Sequence, residues 1–155
     1  MKSIEQWLSG VARFGRISDV IFRVLFSWIF IVGGLGHFFQ LQQMLARIDE
    51  SPWADVVRMI GNPSVLLWLS GAIFVICGIS FALGYLTRLS ALALFVTLVP
   101  ITISVHLAPG HVGPLLKNIA ILGGLIHFFV HGAGSYSIDN QNQLIDRYEL
   151  DAAAG

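Results

Sequence analysis

Chemistry in this chain of 155 residues would fall to a small set of nitrogen-bearing side chains in apolar surroundings: His37, His106, His111 and Lys117, with Arg23 apart from them. A neutral imidazole offers one donor and one acceptor nitrogen, whereas a lysine ammonium only donates. Two histidines on different helices can ligate a haem iron from both sides, and with a third they can hold copper or zinc, which makes His37 and His106 candidate metal ligands. An imidazole beside a lysine can equally hydrogen-bond the carbonyl of a quinone or hold an anionic sulfur oxyanion. A purely structural account has the histidines donating to nearby backbone carbonyls while Lys117 extends its ammonium to the membrane surface. Residue types alone leave quinone, haem and metal ion open, and they identify no catalytic residue.

The elements that must position these groups follow from composition. The chain is 55% hydrophobic and only 12% charged, with a mean hydropathy of +0.76, and such a chain cannot cover a water-facing surface. Its apolar residues gather into blocks at 20–39, 64–84, 89–108 and 115–130, each near the length that crosses hydrocarbon. The expected fold is therefore all-α, an integral membrane four-helix bundle with short amphipathic interfacial helices. Residues 1–19 read as an interfacial segment, 20–139 as the transmembrane domain and 140–155 as a polar tail. Arg13, Arg16 and Asp19 precede the first block and no Ala-x-Ala site follows it, so that block is not a removable signal. Cys77 is alone and cannot form a disulfide within the chain. With a net charge of zero, nucleic acid is not an expected partner. The bilayer is one, together with a partner protein or further copies of the chain.

Charge asymmetry sets the expected orientation. Lys2, Arg13, Arg16, Arg23, Arg88 and Arg147 fall on one side, while Arg47, Arg58 and Lys117 fall on the other. The positive-inside rule then puts both termini in the cytoplasm of a multi-pass inner-membrane protein, with 40–63 and 109–114 outside. Blocks one and three run in the same direction, so His37 and His106 are expected at one depth near the outer face, with His111 and Lys117 at that level. Trp53, Val56, Val57 and Ile60 recur at helical spacing and predict an amphipathic outer helix. The turn at 84–88 demands a tight hairpin, and Pro100 is expected to kink block three.

Helices in lipid meet through small and polar residues, so stripes of these residues mark the inward faces. The expected stripes are Arg23, Ser27, Phe30, Gly34 and His37 in block one, and Gly71, Phe74, Gly78 and Ala82 in block two. Block four offers Lys117, Ala120, Gly124, His127 and His131, and block three Thr102 with His106. Leu94 is expected to face lipid, Arg23 to pair locally with Asp19, and His127 and His131 to lie at the interface without the glutamate of a His-Glu-x-x-His site.

The chain also resembles the DoxX family of small four-helix membrane proteins. The resemblance rests on Gly33-Gly34-Leu35-Gly36-His37, on Gly78 to Gly84 followed by Thr87-Arg88-Leu89, on His106, on Lys117-Asn118, and on Gly132-Ala133-Gly134-Ser135-Tyr136-Ser137-Ile138-Asp139. It implies a membrane subunit linked to redox enzymes, similar to a small subunit of thiosulfate:quinone oxidoreductase or to components of oxidative-stress complexes. Two positions depart from the family pattern: His37 stands where a lysine often follows the glycines, and Phe74 where an acidic residue often sits. Against a quinone-linked oxidoreductase subunit stand a non-catalytic scaffold that holds a partner through 52–60 or the tail, and a small-solute transporter hinted at by Arg23 with His37 recurring as Arg88 with His106.

Overall fold

The computed structural model describes residues 14–106 and 112–154, with side chains for 14–104, 112–145 and 151. Among these residues the elements in chain order are α1 (Gly15–Phe39), α2 (Leu41–Asp49), α3 (Ala54–Ile60), α4 (Pro63–Leu83), α5 (Thr87–Ile101) with a π-helical turn (Thr102–His106), α6 (Val112–His131) and α7 (Ile138–Ala154). Most of the interfacial segment expected over 1–19 lies outside the described residues.

Four helices are long and apolar enough to cross a membrane: α1, α4, α5 with its π-turn, and α6. At 25 residues α1 is about 37 Å long, enough for the hydrocarbon core with some to spare. Leu25, Trp28, Leu69, Ile76 and Val96 point outward from the bundle. In water such a surface would aggregate, and its place is against lipid, where a helix satisfies its own backbone polar groups.

Helix ends follow local chemistry. Pro63 opens α4 at its first position, where a missing N–H costs nothing, and the Asn62 side chain accepts from the Ser64 amide at 2.9 Å. Gly84 closes α4 in the left-handed region with φ 68°. Leu86 is also left-handed, at φ 48°, and it is held there because the Asp139 carboxylate accepts from the Leu86 and Thr87 amides at 2.7 and 2.9 Å. Pro100 cannot donate to its own helix, and the ladder widens into the π-turn directly beyond Ile101.

α1 packs along α4, α4 along α5, and α5 along α6. The core between them is built on Phe26, Phe30, Phe74, Phe81, Leu94, Leu98, Leu125 and Phe128. Several of its rings meet edge to face, as Phe81 and Phe128 do at 4.8 Å between centroids. The inward stripe expected for α1 is buried as a unit, at Arg23, Ser27, Phe30, Gly34 and His37. In α4 Gly71, Phe74 and Gly78 of the expected stripe are buried and Ala82 is half-buried.

Two expectations need correction. In α6 the buried face is Asn118, Ile121, Leu125 and Phe128, and Lys117 is exposed. Large apolar residues fill the inside of this helix, so its inward face lies one position beyond the small-residue stripe. Leu94 is not lipid-facing but completely buried. Beyond Asp139 the polar stretch is helical, within α7.

Candidate functional site

The bundle has two polar ends. Phe39, Pro63, the π-turn and Val112 define one, called here the His37 end. Gly15, Leu83, Thr87 and His131 define the other, the Arg23 end.

At the His37 end, the ring of His37 is buried against α4. Its Nδ1 lies 3.1 Å from the Leu67 carbonyl oxygen and 2.8 Å from Ser70 Oγ, while Ser70 Oγ donates to that same carbonyl at 2.9 Å. A carbonyl can only accept, so the proton of the neutral ring sits on Nδ1 and the lone pair on Nε2. Among the described residues Nε2 has no hydrogen-bond partner. The ring also packs on Phe74 at 5.6 Å between centroids. Phe74, at the position where the family often has an acid, is thus part of the apolar wall beside the imidazole.

The remaining candidates at this end divide. The His106 backbone closes the π-turn at the same end as His37, but its side chain and all of His111 lie outside the described residues. Lys117, on an outward face, does not join His37. Its neighbour Asn118 is the inward polar group: Nδ2 donates to Thr102 Oγ1 at 3.0 Å, and Thr102 Oγ1 donates to the Leu98 carbonyl at 2.8 Å. That rung joins α6 to the π-turn. Sequence reasoning passed over Asn118, although its spacing to Ile121, Leu125 and Phe128 was the available signal. Ser51 Oγ donates to the Ser104 carbonyl and ties the α2–α3 turn to the same place. Among the described residues no three His, Cys, Asp or Glu side chains come together as a metal site.

At the Arg23 end the guanidinium is buried, and it donates to three carbonyls: Ala82 at 3.1 Å, Tyr136 at 2.8 Å, and Ala133. The local ion pair expected with Asp19 does not form. The carbonyls near the end of α4 and in the loop after α6 outcompete it, because they converge on the guanidinium where both helix dipoles are negative. Asp19 instead lies beside Gly134. Arg23 is therefore a brace and not a free ligand-binding cation. His127 and His131 stack at 4.3 Å on the outside of α6.

An all-α membrane bundle with a buried imidazole at one end and a buried arginine brace at the other is thus in place. The sequence profile of the DoxX family matches residues 18–107. The chain belongs to that family. No curated protein and no solved structure matches it significantly.

Proposed function

We propose that this DoxX-family protein is the membrane subunit of a respiratory or sulfur-oxidising, quinone-linked oxidoreductase, with its ligand site at the His37 end. The supporting observation is His37 itself: Nδ1 is committed to the Leu67 carbonyl, which leaves Nε2 as a hydrogen-bond and proton acceptor beside an apolar wall at Phe74. A quinone, when bound, supplies two-electron chemistry coupled to protons. The chain's own contribution is orientation. Leu67 and Ser70 fix the imidazole plane, Phe74 keeps water from its face, and Nε2 accepts a proton from a hydroxyl set against it. The same nitrogen, once protonated, donates to a carbonyl or an oxyanion. His106 and His111 complete the site in this reading.

The charge distribution supports an inner-membrane location with the Arg23 end and both termini in the cytoplasm. The Arg23 brace then lies among the inner headgroups and the His37 site near the outer face.

Purification of the tagged protein from native membranes tests the association. A co-purifying quinone-reducing activity that His37→Ala abolishes, with the complex still assembled, is the expected result. A complex whose turnover is indifferent to His37 would leave the second reading, a non-catalytic scaffold. That reading is supported by α7, which extends beyond the bundle with Leu144 and Ile145 exposed.

A further inference from the structure

At the Arg23 end, α5 and α6 border two recesses in line with each other. The first is a cavity of about 560 Å³ between the start of α5, the loop after α6 and α7, with Thr87, Arg88, His131 and Asn142 on its walls. The second is an apolar groove of about 200 Å³ between α5 and α6, lined by Leu92, Phe95, Leu125, Ile126 and Phe129 with Ala91. Leu89 of the cavity and Leu92 of the groove are one helical turn apart on α5. A chamber at the membrane edge therefore lies about one helical turn from an apolar groove on the same α5–α6 seam.

The chamber contains polar groups that the protein leaves unsatisfied. Arg88 is exposed and, among the described residues, has no hydrogen-bond or ion-pair partner, and its Nε lies against the Gly132 backbone. Thr87 is completely buried, and its hydroxyl is the buried side-chain polar atom without a partner among the described residues. Buried hydroxyls without partners are rare in folded proteins. His131 uses Nδ1 on the His127 carbonyl at 2.9 Å and keeps Nε2 available. Asp139 also lines the chamber, but its two oxygens are both engaged by the Leu86 and Thr87 amides.

We propose that this seam binds an anionic phospholipid, with the phosphate against Arg88 and an acyl chain in the Leu92–Phe129 groove. A guanidinium fork matches two phosphate oxygens at once, and the apolar groove takes a chain that no soluble anion possesses. The site is separate from His37 and does not depend on its role.

The test uses full-length protein purified in neutral detergent and stripped of lipid, titrated with phosphatidylglycerol, phosphatidylcholine of the same chains, and inorganic phosphate, with binding followed by native mass spectrometry and melting. Phosphatidylglycerol should bind and raise the melting temperature, phosphatidylcholine should bind at least about tenfold more weakly, and inorganic phosphate should have no comparable effect. Arg88→Gln should weaken phosphatidylglycerol at least about tenfold while leaving lipid-free melting unchanged, since Arg88 has no partner to lose. Thr87→Val, whose hydroxyl is closed off from the chamber, should leave binding unchanged, with lipid-free melting equal or higher because an unpartnered buried hydroxyl is gone. Arg58→Gln, whose partners Asp49 and Asp55 lie at the other end, should change neither. Equal binding of the two lipids, undiminished binding by Arg88→Gln, or inorganic phosphate binding as tightly as the lipid would each overturn the proposal.

Discussion

Gly34 and Gly71 face each other across the α1–α4 contact so closely that neither position admits a side chain. A Cβ on Gly34 would lie 2.8 Å from the Gly71 carbonyl oxygen, and a Cβ on Gly71 would lie 3.0 Å from the Gly34 oxygen. Both distances are to backbone, which cannot swing aside. With no hydrophobic drive between helices in lipid, such close backbone approach is where the van der Waals contact comes from. Gly34→Ala and Gly71→Ala should each cost about 1–3 kcal/mol through overpacking, read as a lowered melting temperature in detergent. Gly33→Ala, where an added Cβ meets nothing, should leave melting unchanged.

Leu94 is the clearest test of which face of α5 is inside. It is fully buried beside Leu98 and Leu125, so Leu94→Ala should destabilise by about 2–5 kcal/mol as a cavity opens. Leu92→Ala, an outward position on the same helix, should cost much less. Equal melting of the two variants would contradict the packing described.

The Arg23 brace should tolerate no conservative replacement. Arg23→Lys keeps the charge but presents one nitrogen to three carbonyls on different segments. Losing two charge-assisted hydrogen bonds at about 1.5 kcal/mol or more apiece gives an expected loss of about 3 kcal/mol. Asp139→Asn keeps one acceptor oxygen for two amides, and should cost about 1 kcal/mol. Double variants should be less than additive, because both residues hold the same junction of α4, α5 and the loop before α7.

Orientation is tested by cysteine labelling in sealed vesicles of a Cys77→Ala background. A cysteine at Gln43 on α2 should react only from the outer side, and one at Asn142 on α7 only from the cytoplasmic side. The reverse pattern would invert both sites across the membrane.

The sequence carried the membrane class and the span boundaries because runs of apolar residues of this length have few other uses, and it carried the α1 and α4 faces because glycines and Arg23 mark them. α6 was read one position out for a physical reason: its inner face is large and apolar, like its lipid face, so the stripe of Lys117, Ala120 and His127 gave a false phase, although Gly124 within it does lie against Phe26. Leu94 was misplaced similarly, since leucine suits core and lipid alike. The Arg23 brace was illegible locally because its acceptors, Ala82, Ala133 and Tyr136, are distant in sequence and are backbone atoms that no residue type announces. The unused lone pair of His37 was equally hidden, as it depends on which carbonyl α4 sets against Nδ1.

The proposed role of His37 is tested most directly by titrating purified protein with a short-chain reduced quinone and comparing wild type with His37→Ala, with melting measured on both. Saturable binding by wild type, weakened at least about tenfold in His37→Ala beyond any shift in melting, is the predicted result. No saturable binding by wild type, or equal affinity in the variant alongside a lowered melting temperature, would contradict it and leave His37 as a structural donor to Leu67.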